Sequence, residues 1–400
     1  MSATETVPPE SAQAGSFPLA AQIPLKDFNL PEFPPEASHL RELTLTADIK
    51  LDEYQNLVQS KPPDAIVTQP PLPNLPPSIT SLTLELFGLG FPGNPPFLTR
   101  LSRMLPHLRS LTLFSCLIDG LDEASRKDAE NFFENLPLLQ ELHIIDSFAR
   151  PGFFKTLGGL FDARSKEGDG KGIKVVDISY TFRGHEDSDF LARVQGEELA
   201  GLIVKGIVGA SFDFVPSVGD DLAEAPEGQD GKKEKEKMPQ GILPFASDGR
   251  APAAVKKRFE NLSLDGQLGS VKVLNLGMWS LRPVEVGEVV YACAGGGEAG
   301  LVDLTVSVLL EDNWVDELIK GLGYKGGGGA LEGIEIIGVP DKANEEDEDW
   351  KSGLAVMKKE EVEKLGEACP RLGKFGMSIL KVKSAPNVLF MKEQGSWTPR

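Results

Sequence analysis

Apolar residues recur along most of the chain in blocks where two of them flank one polar position and a third lies three residues upstream. The clearest block is LPHLRSLTLFSCLI, with Leu108-x-x-Leu111-x-Leu113-x-x-Cys116-x-Ile118, followed by LPLLQELHIIDSFA, with Leu139-x-x-Leu142-x-Ile144. Alternation of this kind over a short run predicts a strand with one buried face. Looser copies are centred on Leu43, Leu82, Val176, Leu274, Leu304, Ile334 and Phe375. From Leu82 to Leu111, Leu142 and Val176 the centres advance 29, 31 and 34 residues, and from Leu274 to Leu304 and Ile334 they advance 30 and 30. Between the blocks, 97–105, 129–136, 312–322 and 354–369 place apolar residues three and four apart, which predicts helices. Pro106, Pro137 and Pro370 end three of them just before the next strand. A single strand–helix unit is too small to bury its apolar face, so neighbouring units must stack in parallel to make a core. Between Val176 and Leu274 the period is lost; LAGLIV (199–204) and FENLSLDG (259–266) are the candidate repeats there.

This pattern resembles the longer, helix-containing leucine-rich repeats over residues 37–150 and 271–381. Phrases such as ACPRLGKF and LPHLRSLTLFSC are similar to the cysteine-containing kind found in F-box/LRR receptors of ubiquitin ligases. Cys116 fills the signature cysteine slot, which Phe87, Ser147, Thr181, Trp279, Leu309, Val339 and Leu380 occupy in other units. The resemblance implies an α/β fold, a right-handed curved solenoid with a parallel concave sheet and helices on the convex side. It also implies a protein-interaction scaffold, in its sharper form a substrate receptor bound to a ubiquitin-ligase adaptor. No three-helix F-box pattern precedes the first repeat.

The array is expected over 37–381, after a Pro-rich and largely disordered segment 1–36 and before a C-terminal cap or tail, 382–400. Three stretches interrupt it. Residues 57–77 hold seven prolines and read as an extended loop, 217–241 are charged and poor in large apolar residues and read as disordered, and 341–350 form an acidic loop.

Charge narrows the partners. With 41 Lys+Arg against 60 Asp+Glu the net charge is -19, the opposite of what phosphate neutralisation or a polybasic membrane contact needs. Nucleic acid and membrane are therefore excluded as partners, and a basic protein is favoured. The first residues lack the basic and apolar regions of a signal peptide, and no apolar run approaches membrane-spanning length. Cys116, Cys293 and Cys369 are odd in number and far apart, which reads as reduced thiols in a cytoplasmic or nuclear protein.

Two short motifs suggest chemistry. GLGFPG (88–93) matches a dinucleotide fingerprint after a strand-like run, and the rival reading of the chain is an enzyme or nucleotide-binding protein using that turn. The fingerprint requires a helix whose early turns contain its third glycine, yet Pro95 and Pro96 follow Gly93 and would break it. GLGYKG (321–326) stands at a helix end, the reverse of the required order. His39, His107, His143 and His185 are scattered without metal-ligand spacing, so no catalytic residue, cofactor or metal is expected. What remains is the outward side of the sheet, where the residue between the two flanking apolar positions projects. The expected partner-binding residues are Glu85, Thr112, Phe114, Glu141, His143, Asp177, Asn275, Asp303, Thr305 and Glu335.

Overall fold

The computed structural model describes residues 20–25, 33–47, 74–85, 96–120, 122–167, 172–182, 187–216, 244–264, 269–294, 300–340, 356–380 and 387–400. The fold is α/β. Thirteen strands form one sheet in which every strand lies beside its neighbours in sequence. They are β1 (Ala20–Leu25), β2 (Glu42–Ala47), β3 (Ser81–Glu85), β4 (Ser110–Phe114), β5 (Glu141–Ile145), β6 (Val175–Phe182), β7 (Gly209–Pro216), β8 (Val273–Leu281), β9 (Asp303–Leu310), β10 (Gly333–Pro340), β11 (Lys374–Ile379), β12 (Val388–Glu393) and β13 (Ser396–Pro399). β1 to β11 pair in parallel, and β12 and β13 return antiparallel. The helices that join them are α1 (Phe97–Arg103), α2 (Glu123–Glu134), α3 (Phe153–Ser165), α4 (Asp187–Val194), α5 (Gly196–Leu199), α6 (Arg250–Leu264), α7 (Pro283–Cys293), α8 (Trp314–Gly323) and α9 (Lys359–Ala368).

The nine centres expected from spacing fall into one register row: Leu43, Leu82, Leu111, Leu142, Val176, then Leu274, Leu304, Ile334 and Phe375. All nine are buried in one continuous core with the helix faces behind them. The row contains a tenth member, Ala210 of β7, which pairs with Val176 on one side and Leu274 on the other. This corrects the reading of the gap. LAGLIV lies in α5 and the short 3-10 turn after it, and the described part of FENLSLDG lies in α6. The real repeat is Ile207-x-x-Ala210-x-Phe212, with all three side chains buried. β7 is then followed by the long charged stretch, which doubles the distance to the next strand.

Both ends of the array carry strands. β1, inside the Pro-rich segment expected to be largely disordered, pairs in parallel with β2, Ala21 beside Leu43 and Ile23 beside Leu45. At the other end the β12–β13 hairpin closes the sheet, and its Trp397 is buried against Gly366 of α9. A Cβ on Gly366 would stand 2.9 Å from the indole Nε1, so only glycine lets that ring seat over the last core layer. The stretches 57–73, 217–241 and 341–350, and the glycines 88–93, lie outside the described residues.

Side chains from one unit finish the helices of another. α1 follows Pro96 and has no side-chain cap of its own. Its first amides, Leu98 and Thr99, donate instead to the buried Asp128 carboxylate of α2 at 2.9 and 2.8 Å. The Thr99 hydroxyl adds a third bond at 2.7 Å. Arg164 of α3 returns the favour at the opposite end, donating to the carbonyls of Phe133, Glu134 and Leu136 at the C-terminus of α2. Glu198 of α5 accepts from the Gly152 and Lys155 amides at the start of α3. Helix ends carry orphan donors and acceptors and a dipole that favours such charges, so these ties fix unit against unit.

The signature slot has a similar purpose. Just past β4 and β5 the chain turns through Ser115 and Asp146, both in the left-handed region. The slot side chains then reach back to the neighbouring unit. Ser147 Oγ accepts from the Cys116 amide at 2.9 Å and lies 3.0 Å from the Leu113 carbonyl, to which it can donate. The Cys116 thiol donates to the Leu84 carbonyl at 3.3 Å. The slot thus satisfies strand-end peptide groups buried between units.

Candidate binding face

Strand alternation sends one set of side chains into the helix-covered core and the other to the opposite face of the sheet. Register aligns the second set in three cross-strand rows. The central row runs Thr83, Thr112, His143, Asp177, Ser211, Asn275, Thr305, Glu335. On one side of it lie Glu85, Phe114, Ile145, Ser179 and Asp213. On the other lie Glu141, Val175, Gly209, Val273, Asp303 and Gly333. All ten sequence-expected residues therefore sit on one face, between β3 and β10, and none is fully buried. Two members of that face, Ser211 and Asp213, were missed with their strand.

The centre of the face is a titratable network. His143 Nδ1 lies 3.5 Å from Asp177 Oδ2. The hydrogen bond to Asp177, with its charge and that of Glu141, raises the His143 pKa against the opposing effect of burial. The same bond, with help from Ser211, holds the Asp177 carboxyl below its ordinary value. Asp213 behaves in the opposite way: burial pushes its pKa up, and the Glu335 and Asp177 carboxylates push in the same direction. The Asn275 side chain and the Phe214 amide, 2.9 Å away, only partly offset this. Asn275 is itself oriented by accepting from the Gly277 amide at 2.8 Å. Gly277 is required there, since a Cβ would stand 2.5 Å from the Asp213 carboxylate.

At the β3–β5 end the face changes character. Phe114 is 38% exposed, the only large apolar side chain on β2 to β6 to be so open among the described residues. It is beside Ile145 and next to Glu85, which accepts from the Thr46 hydroxyl at 2.8 Å.

The His143–Asp177 pair gives a testable pH signature. His143 is raised, so its contribution is complete below 6.5 and fades as pH climbs through the folded value. Asp177 is lowered, so its contribution is complete above 3.8 and fades as pH falls through the folded value. The pair is fully formed between those limits. Imidazole NMR should give His143 a pKa above the ordinary histidine value, and Asp177→Asn should bring it down. An unchanged His143 titration in that variant would show that the contact does not form in solution.

The remaining chemistry is structural in the described residues. Cys116, Cys293 and Cys369 are buried and unbridged, and burial pushes the Cys293 and Cys369 thiols up to about 12. Thiols so far from ionisation are poor nucleophiles at neutral pH. Among the described residues no three His, Cys, Asp or Glu side chains converge in metal-binding geometry. No described helix is long and apolar enough to cross a membrane. Comparison with protein-family models gives no match, and a search of curated proteins gives no significant relative.

Proposed function

We propose that the chain is a leucine-rich-repeat-type solenoid that acts as a non-catalytic scaffold and binds a protein partner on the open face of its sheet. The observation that carries this reading is the alignment of the ten face residues, which lie on seven strands, with Ser211 and Asp213 of β7 in three rows from β3 to β10. Strands in sequence order, parallel from β1 to β11 and joined by helices, are the arrangement that builds such a solenoid, and crossovers of this kind are right-handed. The face mixes hydroxyls, amides and carboxylates with an aromatic anchor, which suits protein recognition more than a small-molecule pocket. The ubiquitin-ligase receptor version rests on the Leu108–Ile118 resemblance, and residence in the cytosol or nucleus on the three unbridged thiols.

The test is a binding titration against a captured partner. Phe114→Ala and Glu141→Lys should each weaken binding about tenfold or more, as expected for an aromatic anchor and a steering charge. Arg103→Glu, exposed at the end of α1, should not. Loss of affinity in the α1 variant alone would move the binding surface to the helices.

A further inference from the structure

On the opposite side of the molecule, α6, α7 and α8 line a groove of about 630 Å³. Its walls carry Lys256 and Glu260 from α6, Glu317 and Lys320 from α8, with Tyr291 of α7 and Tyr324, just past the end of α8, between them. Three of the exposed large apolar side chains gather there, Val284 at 51%, Tyr291 at 41% and Tyr324 at 54%. The two tyrosine rings meet edge-on at 5.6 Å, and the Lys325 ammonium stands over both, at 5.4 and 5.1 Å from their centres. Lys325 holds this position from a left-handed backbone, φ 48°. Such a conformation is costly outside glycine.

The surface is a ridge beside a groove. Gly287 and Gly321 bring α7 and α8 into backbone contact, since a Cβ on Gly287 would lie 2.6 Å from the Gly321 Cα. α6 stands further off, bridged to α7 by Lys256, whose Nζ lies 3.2 Å from Glu288 and 3.8 Å from Glu285. Each wall carries both signs, in opposite order along the two helices. Glu260 of α6, and Glu317 and Lys320 of α8, are exposed and have no ion-pair partner among the described residues.

We infer that this face is self-complementary and docks a second copy of the chain. A two-fold axis running along α7 places α6 of each copy against α8 of the other, so that every contact occurs twice. The α7–α8 ridge of one copy then lies over the α6–α7 groove of its partner, and the exposed tyrosines are covered. Glu260 meets the Lys320 and Lys325 side of the facing α8, and Lys256 meets its Glu317. Between α6 and the facing α8 opposite charges meet, and Glu288 of α7, nearest the axis, stays paired to Lys256 of its own copy, which matters because two copies at -19 repel at long range. A single helix of another protein could fill the groove, but it would not need the two walls to carry base and acid in opposite order, Lys256 then Glu260 on α6 against Glu317 then Lys320 on α8. This contact leaves the open sheet face free, so it stands or falls apart from the proposed function.

The experiment is sedimentation velocity with light scattering on the full chain across micromolar concentrations. The expected species has twice the 43.2 kDa chain mass. Glu260→Lys and Lys320→Glu should each weaken the dimer about tenfold, the scale of a lost interfacial charge contact. The double variant, whose charges match again across the axis, should recover it. Tyr291→Ala should weaken it with the circular dichroism unchanged. A monomer throughout, or a dimer indifferent to all four variants, would overturn the inference.

Discussion

Leu111→Ala should lower the unfolding free energy by about 2–5 kcal/mol, the range for truncating a buried leucine into a core that cannot collapse around the gap. Leu111 is at the middle of β4, fully buried, with Leu82 and Leu142 on either side in the same row. Removing it opens a cavity shared by three units, so relaxation in one unit does not close it. Urea unfolding should show a lower midpoint with the same slope, because the surface exposed on unfolding is unchanged. A change under about 1 kcal/mol would mean that β4 is not packed as described.

The second large effect belongs to a charged residue. Asp128→Ala should cost about 3 kcal/mol, since it leaves two buried amides and a buried hydroxyl of α1 without an acceptor. Asp128→Asn, which keeps one accepting oxygen, should cost about half as much. Hydrogen exchange gives the readout: the Leu98 and Thr99 amides should lose protection first in both variants. Equal and small effects from the two would show that water, and not α2, satisfies the start of α1.

These two residues also mark what could and could not be read from sequence. Leu111 announces itself, because one strand can bury a face only by placing apolar residues at alternate positions, and a fixed step between strands forces the same spacing again. Asp128 does not, since in the sequence it is one acid in a charged helix, and only the neighbouring unit reveals the amides it serves. Arg164 and Glu198 are concealed for the same reason. β7 is hidden because its central position is the small Ala210, which carries little apolar signal, and because the charged stretch after Pro216 lengthens the next step. Its loss removed Ser211 and Asp213 from the expected face. The rest of that face was legible, since strand alternation assigns outward positions with no knowledge of what they meet. The groove over α6, α7 and α8 was not. Its walls carry Lys and Glu beside Val and Tyr, and sequence alone reads such faces as solvated helix.

On the proposed function, the open sheet face and not the helical side meets the partner. Site-specific photo-crosslinking tests it most directly, with a benzophenone side chain placed in turn at Phe114, Thr305, Arg103 and Lys359, two positions on each side of the molecule. One shared heteromeric adduct is expected from Phe114 and Thr305, and none of that mass from Arg103 and Lys359. A partner captured only from the two helix positions would contradict it.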